Sequence, residues 1–314
     1  MKQLVRDIHP KPNIEEPRWD QSTYWNRSKH FFITTNPLNL FCTNKQLCES
    51  KRIVENYRKG EFNDQLTLDE LWRAKQIYDS TFHPDTKEKM FIVGRMSAQV
   101  PANMVITGMM MTFYNTPAVV FWQWFNQSFN ALVNYTNRSG DSPVPVSQLA
   151  LSYVGATGGA LITALGLNSL VKSAPPLINR LVPLCAVAAA NCINIPLMRF
   201  RELQYGVSLF DSNGTKVGQS TVAAQRAIAM VTLSRILMAV PGMSRIVLDL
   251  PYRFMNAPIQ VLMVGFFLTF ATPLCCALFP QKSSIAVSEL EPSLQERISR
   301  LPHHPELLYF NKGL

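Results

Sequence analysis

Six amide side chains lie close together near the middle of the chain. They are Gln123, Asn126, Gln127, Asn130, Asn134 and Asn137. Spacings of three and four place all of them on one face of a helix. An amide donates and accepts hydrogen bonds without carrying a charge, so this face could bind a small zwitterion at a lower desolvation cost than charged side chains. The alternative is that the amides only bond to neighbouring helices or to lipid headgroups.

Two further amides, Asn191 and Asn194, stand just ahead of Pro196 in an apolar stretch. Proline removes a backbone donor and frees a carbonyl group. The pattern therefore predicts a helix that breaks beside two amides and lines a cavity, as in discontinuous transporter helices.

A single cation, Arg235, interrupts the apolar stretch 227–244. A guanidinium in the middle of a membrane span costs about 2.5 to 3.5 kcal/mol, so it is expected to pair inside the protein. It could hold a substrate carboxylate through two hydrogen bonds, or it could pair structurally or reach the membrane surface. Together these patterns predict a substrate path lined by Asn126, Gln127, Asn130, Asn134, Asn191, Asn194 and Arg235.

Long tracts around these residues carry no charge. Charged residues make up 16% of the chain, yet there is none in 96–137, 142–171, 181–198 or 254–281. Because about 20 helical residues cross the hydrocarbon layer of a membrane, the sequence predicts five spans. They cover roughly 96–114, 146–168, 181–198, 227–244 and 257–279. The amide-rich stretch 115–137 is predicted to be interfacial, re-entrant or cavity-lining.

Charge also divides the chain into three parts. Residues 1–95 hold 16 of the 30 Lys and Arg and 13 of the 21 Asp and Glu. This predicts a soluble helical region over 1–95, a transmembrane domain over 96–280 and a carboxyl-terminal tail over 281–314. In the first part, a helix over 44–59 ends at Gly60, and a second opens with a capping box from Thr67 to Glu70. The fold class is all-α and multi-pass, and the net charge of +9 favours anionic lipid surfaces mildly.

Several kinds of protein are disfavoured by motifs that the sequence lacks. It contains no GxxxxGK[ST] loop, no HExxH, no GxSxG and no CxxC pair, so an ATP-driven pump, a hydrolase and a cofactor or metal site are not expected. Basic residues do not cluster with aromatic ones, which argues against a nucleic-acid partner. Gly155 and Gly159 form a small-residue face that favours close helix contact inside one chain over a dimer interface.

Several motifs, in order along the chain, resemble the sideroflexins. They are 17–23 (PRWDQST), 82–86 (FHPDT), 94–101 (GRMSAQVP), 126–138, 186–198 and 309–314 (YFNKGL). Segments 70–75 and 271–284 are most similar to the serine-transporting branch of that family. Two departures stand out: Lys87 occupies a position where the family motif usually has Gly, and the link 245–256 between the last two spans is short.

The resemblance implies a multi-pass protein of the inner mitochondrial membrane that carries serine and other small neutral amino acids into the matrix for one-carbon metabolism. It also implies five spans, an amino-terminal region in the matrix and a tail in the intermembrane space. We therefore expect a transporter and not an enzyme. As a hypothesis, Arg235 binds the substrate carboxylate, while Asn126, Asn130, Asn134, Asn191 and Asn194 bind its hydroxyl and ammonium groups.

Two rival functions stay open at this point. One is a scaffold or assembly factor of the inner membrane that affects iron or haem metabolism, for which exposed loops such as 199–226 would matter more than the amide face. The other is a transporter of an organic acid or an iron complex, which so few ionisable residues in the spans disfavour. The expected partners are a small-molecule substrate and membrane lipid, and a homo-oligomer stays open.

Overall fold

The computed structural model describes residues 4–61, 63–83, 86–113, 115–136, 145–170, 176–243, 256–300 and 305–313. Its α-helices are α1 (Tyr24–Thr34), α2 (Asn44–Lys59), α3 (Leu68–Thr81), α4 (Gln99–Thr112), α5 (Thr116–Thr136), α6 (Val146–Leu170), α7 (Pro176–Met198), α8 (Phe200–Tyr205), α9 (Thr221–Met243), α10 (Asn256–Cys276) and α11 (Pro292–Ser299). Its strands are β1 (Val207–Phe210), β2 (Lys216–Ser220), β3 (Lys282–Ala286) and β4 (Leu307–Asn311).

The amino-terminal region folds around the contact between α2 and α3. Leu47 and Val54 of α2 pack against Leu71 and Tyr78 of α3 in one buried cluster. Both helices begin with a capping box, and α2 ends at Gly60, whose φ of 82° is a left-handed conformation that glycine adopts without strain. The predicted helix 44–59 and the predicted capping box of α3 are confirmed.

Six helices form a closed ring. Going around it, α4 contacts α5, α5 contacts α6, α6 contacts α7, α7 contacts α9, α9 contacts α10, and α10 returns to α4. A further contact between α4 and α9 crosses the ring. Large apolar side chains on its outer surface are exposed, including Leu151 and Ile162 of α6 and Leu262 and Phe266 of α10. An apolar surface of this extent is typical of a lipid-facing protein.

Glycines set the contact between α6 and α7. A Cβ atom on Gly159 would lie 2.2 Å from Cδ1 of Ile193, and one on Gly155 would lie 3.0 Å from Cδ1 of Leu197. Residue numbers rise along α6 as they fall along α7, so the two helices are antiparallel. The predicted close contact of this glycine face inside one chain is confirmed.

The same arrangement holds α4 against α10. A Cβ atom on Gly108 would lie 2.7 Å from Cα of Val261, and one on Gly265 would lie 2.7 Å from Sδ of Met104. These two helices are also antiparallel. A larger residue at Gly108 would meet the backbone of Val261 and push the helices apart, while one at Gly265 would displace the Met104 side chain. The pairs α6–α7 and α4–α10 are therefore closely packed within the ring.

Helices α6, α9 and α10 are long and apolar enough to cross a membrane, over Val146–Leu167, Thr221–Pro241 and Ala257–Cys276. The apolar part of α7, Leu184–Met198, is shorter, and α4 has 14 residues, about 21 Å of helix. The amide-rich stretch is one continuous helix, α5, whose 21 residues extend about 31 Å. Its place in the ring agrees with the cavity-lining alternative. The ring therefore contains six helices where the sequence predicted five spans and an additional segment.

The amino-terminal region and the tail lie at the same end of the ring. Nε of Arg27 in α1 donates to the carbonyl of Ala277, just after α10, at 2.9 Å. Nη1 of Arg199, just after α7, donates to the carbonyl of Lys312 in the tail at 2.8 Å. Six alternating helices thus return the chain to the end from which it entered the ring. The resemblance implied opposite sides for these two regions, and the contacts disagree with that expectation.

A four-stranded antiparallel sheet covers this end, in the order β2-β1-β4-β3. Its buried residues Leu209, Ile285, Leu308 and Phe310 pack against Ala223 at the start of α9. The prediction of an exposed loop over 199–226 is wrong, because this segment forms α8, the β1–β2 hairpin and the start of α9. The all-α class describes most of the molecule, but it misses this sheet.

Candidate substrate passage

The amide face of α5 points into the ring. Gln123, Asn126 and Gln127 expose only 2%, 6% and 3% of their surface. Aromatic residues of the same helix lie on the outside, where Trp124 is 46% exposed and Phe121 is 47% exposed. A helix surrounded by water would have the opposite arrangement. The distribution therefore fits a helix with lipid on its outer side and a polar space on its inner side.

These buried amides lack hydrogen-bonding partners. In the part of the chain that the structure describes, no hydrogen bond joins the side chains of Gln123, Asn126, Gln127 or Asn194 to the protein, and Oε1 of Gln123 is fully enclosed. Leaving such a group buried and unpaired costs about 1 to 3 kcal/mol. The alternative that the amides only bond to neighbouring helices is not supported. Unpaired amides at this depth are suited to bind water or a polar ligand.

Two hydroxyl groups, which the sequence did not single out, share this property. Oγ1 of Thr157 on α6 and Oγ of Ser234 on α9 are buried without a partner. Most membrane-helix hydroxyls bond to the carbonyl four residues earlier, as Ser152 does to Gln148 and Thr232 does to Ile228. Sequence alone cannot tell the two kinds of hydroxyl apart. Unpaired polar atoms thus come from α5 and its neighbour α6, and from α9 on the other side of the ring.

The other predicted amides have less definite positions. Asn130 on α5 and Asn191 on α7 are half-buried, while Asn194 is 6% exposed. Asn134 belongs to α5, but its side chain, like all of Asn137, lies outside the described residues. The structure therefore places Asn126, Gln127 and Asn194 in the interior and leaves the roles of Asn130, Asn134 and Asn191 as predictions.

The predicted helix break at Pro196 does not occur. Helix α7 continues through this residue to Met198. Because Pro196 is so close to the end of the helix, its missing N–H and the ring's clash with the preceding turn disturb only the last turn. Asn191 and Asn194 therefore sit on an unbroken helix.

Arg235 lies in the second half of α9 and is partly buried. The titratable groups that act on it are Cys276 at the carboxyl end of α10 and Arg199 just after α7. Arg199 itself forms an ion pair with Glu202, at 3.0 Å from Nε to each carboxylate oxygen. The charged surroundings of Arg235 are thus at the end of the ring that the sheet covers.

Two more cations reach the same place. Arg27 of α1 is buried, and its guanidinium donates to the carbonyls of Ala277, Gln21 and Ser22. Lys312 exposes 2% of its surface. Burial lowers the pKa of Lys312; the Cys276 thiol raises it, and the neighbouring Arg27 and Arg199 lower it further.

We call Arg27, Arg199, Arg235 and Lys312 the cationic junction. Of these four residues, the sequence pointed only to Arg235, because more than a hundred residues separate the partners in contacts such as the one between Arg199 and Lys312. The structure thus shows an amide-lined interior and a cationic end, where the sequence suggested one combined site.

Comparison with known proteins covers almost the whole chain. The family model of the sideroflexins matches residues 13–314. Mouse sideroflexin-1 is 59% identical over 321 residues, which cover 98% of this chain and 99% of that protein. Human sideroflexin-3 is 57% identical over 325 residues and covers both chains fully. No solved structure matches the chain.

Proposed function

The chain belongs to the sideroflexin family, and on that premise we propose that it carries serine and other small neutral amino acids across the inner mitochondrial membrane, where they supply one-carbon metabolism. The resemblance seen in the motifs is thereby confirmed at the level of the family. What we propose beyond the family is the substrate, the membrane and the metabolic pathway.

The buried, unpaired amides are the observation that carries this proposal. Serine offers an ammonium group that donates, a carboxylate that accepts and a hydroxyl that does both. Asn126, Gln127 and Asn194 can form hydrogen bonds with each of these groups without carrying a net charge. The passage without substrate therefore avoids the larger cost of buried ions. A bound substrate would replace the missing partners of these amides.

Alternating access can be built on the two glycine-packed pairs. Helices α6 and α7 move as one body because Gly155 and Gly159 hold them in close contact, and α4 and α10 move as another. Helices α5 and α9 connect the two pairs on either side of the ring. They also carry Gln123 and Ser234, whose unpaired atoms lie where the pairs would slide past each other. Rocking of one pair against the other would open the amide-lined space to each side in turn.

The first prediction concerns Asn126→Leu, which replaces a buried unpaired amide by an apolar group of similar size. We expect it to reduce uptake of labelled L-serine at least tenfold in liposomes containing the purified protein. The melting temperature should stay the same or rise, since no hydrogen bond is lost and an unpaired polar group is removed.

The matched control is Phe125→Leu, which changes the neighbouring lipid-facing residue and should leave uptake near wild type. If Asn126→Leu lowers the melting temperature and leaves uptake intact, the amide is a structural residue and the passage is assigned wrongly.

The folded end of the molecule favours a second candidate, a scaffold of the inner membrane. The amino-terminal region and the four-stranded sheet both lie at one end of the ring. A scaffold would show no uptake of any amino acid by the wild-type protein in liposomes. Changes in exposed side chains of the sheet would then disturb its function more than Asn126→Leu.

A further inference from the structure

The cationic junction brings four positive charges together at one end of the ring. Arg27 comes from α1, Arg199 follows α7, Arg235 belongs to α9 and Lys312 belongs to the tail. Each acts electrostatically on at least one other member or on Cys276, which lies among them at the end of α10. Four segments that are distant in sequence thus converge on this place.

Within the described ranges of the chain, negative charge near Arg27, Arg199 and Lys312 is scarce. Glu202 pairs with Arg199 and supplies one negative charge. The carboxyl ends of α7 and α10 each add about half a negative charge through the helix dipole. Among the described residues, about one positive charge of Arg27, Arg199 and Lys312 then has no counterpart in a largely buried place, where ions are costly unless they are paired.

Lys312 is the member that the protein itself does not satisfy. Its backbone is fixed on both sides, because its N–H donates to the carbonyl of Gln281 at 2.8 Å and its carbonyl accepts from Arg199. The residue exposes 2% of its surface, yet no carboxylate pairs with its amine among the described residues. An amine on a fixed backbone, with no carboxylate partner among the described residues and next to three guanidinium groups, is suited to bind an anion.

The junction also leads toward the amide-lined interior. Arg235 belongs to it, and the preceding residue on α9 is Ser234, whose buried hydroxyl is unpaired. Further in, Asn194 lies on α7, four residues before Met198 at the end where Arg199 enters the junction. An anionic group bound at Lys312 would therefore be a short distance along α7 and α9 from the amides.

We propose that the cationic junction is the mouth of the passage and binds the carboxylate of the amino-acid substrate before its polar groups reach the amides. This inference rests on the proposed transport function and adds the entry site, with Lys312 as its principal ligand. Arg235 receives the carboxylate from the mouth, and Arg27 and Arg199 hold the surrounding positive charge.

The test compares Lys312→Met with Lys282→Met in liposomes. Both changes remove a tail lysine and keep an apolar stem, but Lys282 is exposed at the start of β3. Lys312→Met should raise the KM for L-serine about tenfold, while Lys282→Met leaves it unchanged. L-serine amide, which lacks the carboxylate, should compete poorly with L-serine in the wild type. This discrimination should shrink in Lys312→Met, and Lys312→Arg should restore much of it.

A binding measurement in detergent keeps the test independent of transport. L-serine and glycine should raise the melting temperature of the wild type more than serine amide does, and Lys312→Met should abolish the difference. If Lys312→Met transports L-serine with the wild-type KM, the junction is not the entry site, and the proposed transport function still stands. If neither uptake nor stabilisation by L-serine occurs, the proposed function fails with it. Stabilisation by inorganic phosphate or cardiolipin vesicles alone would reassign the junction to phosphate groups and overturn the carboxylate site.

Discussion

At the scale of single residues, Lys87 combines an unexpected residue type with an unusual backbone angle. The resemblance noted in the sequence led us to expect glycine at this position, and Lys87 adopts a φ of 58°. Among described non-glycine residues, it is the one with a positive φ. A left-handed conformation costs a residue with a Cβ about 1 kcal/mol, which glycine avoids. The turn therefore holds a residue with a Cβ in a conformation that glycine would adopt without strain.

The resulting prediction is that Lys87→Gly stabilises the protein. Relief of the left-handed backbone should outweigh the added freedom of glycine in the unfolded chain and raise the melting temperature by about 2 °C. Lys89→Gly is the control, because Lys89 has ordinary backbone angles and should lose stability when replaced. A fall in melting temperature for Lys87→Gly would mean that contacts of the lysine side chain outweigh the strain.

At the scale of elements, the sequence predicted the positions of the helices well but the contacts between distant helices and strands poorly. Charge-free tracts located the helices, since ions are excluded from lipid over the same length that a span needs. Charge alone does not divide the tract 96–137, because the turn between α4 and α5 carries no charge either; the high amide content of 115–137 separated it from the span 96–114. The sheet was missed for another reason: β1 and β2 are short, and β4, the partner of β1, lies about a hundred residues away.

The amide-lined interior was likewise predicted only in part. The spacing of Asn126 and Gln127 established a polar face, but their lack of partners is a property of the folded ring. The junction depends wholly on contacts between distant segments, and periodicity contains no signal for such contacts.

The link between tail and ring provides a pH-dependent prediction. Oε1 of Glu291 accepts hydrogen bonds from the backbone N–H of Thr221 at 2.6 Å and of Val222 at 3.1 Å, at the start of α9. Burial alone would raise the pKa of Glu291, but these hydrogen bonds and those from nearby hydroxyls lower it to about 2. Because the folded-state pKa lies below the unfolded one, the carboxylate stabilises the protein above about pH 4.5, and this stabilisation declines as pH falls toward 2.

Glu291→Gln should therefore lower the stability at pH 7 by about 1 kcal/mol, the usual value of a helix cap. The difference from wild type should shrink when melting temperatures are measured at pH 3 in the same detergent. Glu296→Gln, which changes an exposed acid of α11, should have little effect at either pH. An equal loss for Glu291→Gln at both pH values would show that the cap does not depend on ionisation.

At the scale of the whole molecule, the soluble parts are gathered at one end of the ring. The amino-terminal region contacts α10 through Arg27, and the sheet joins the segment after α7 to the tail. The opposite end has the short turn around Asn115. Over the part of the chain that the structure describes, the folded regions outside the ring therefore lie on one side of it.

This arrangement predicts the outcome of labelling with a membrane-impermeant maleimide. In a background with the other cysteines replaced by serine, Cys48 on α2 and Ser284→Cys on β3 should react from the same side of the membrane. Asn115→Cys, at the other end of the ring, should react from the opposite side. Labelling of Cys48 and Ser284→Cys from opposite sides would rule out the six-helix path and restore the expected placement of the tail.

The strand order β2-β1-β4-β3 has a consequence for biogenesis. Strand β4 lies inside the sheet, yet it is the last strand to leave the ribosome, so the β1–β2 hairpin keeps an open edge throughout synthesis of α9 and α10. The sheet can close only after both helices have been inserted into lipid. Interrupted translation or loss of the final strand would leave that edge available to other chains, and quality-control proteases could recognise it as a mark of incomplete assembly.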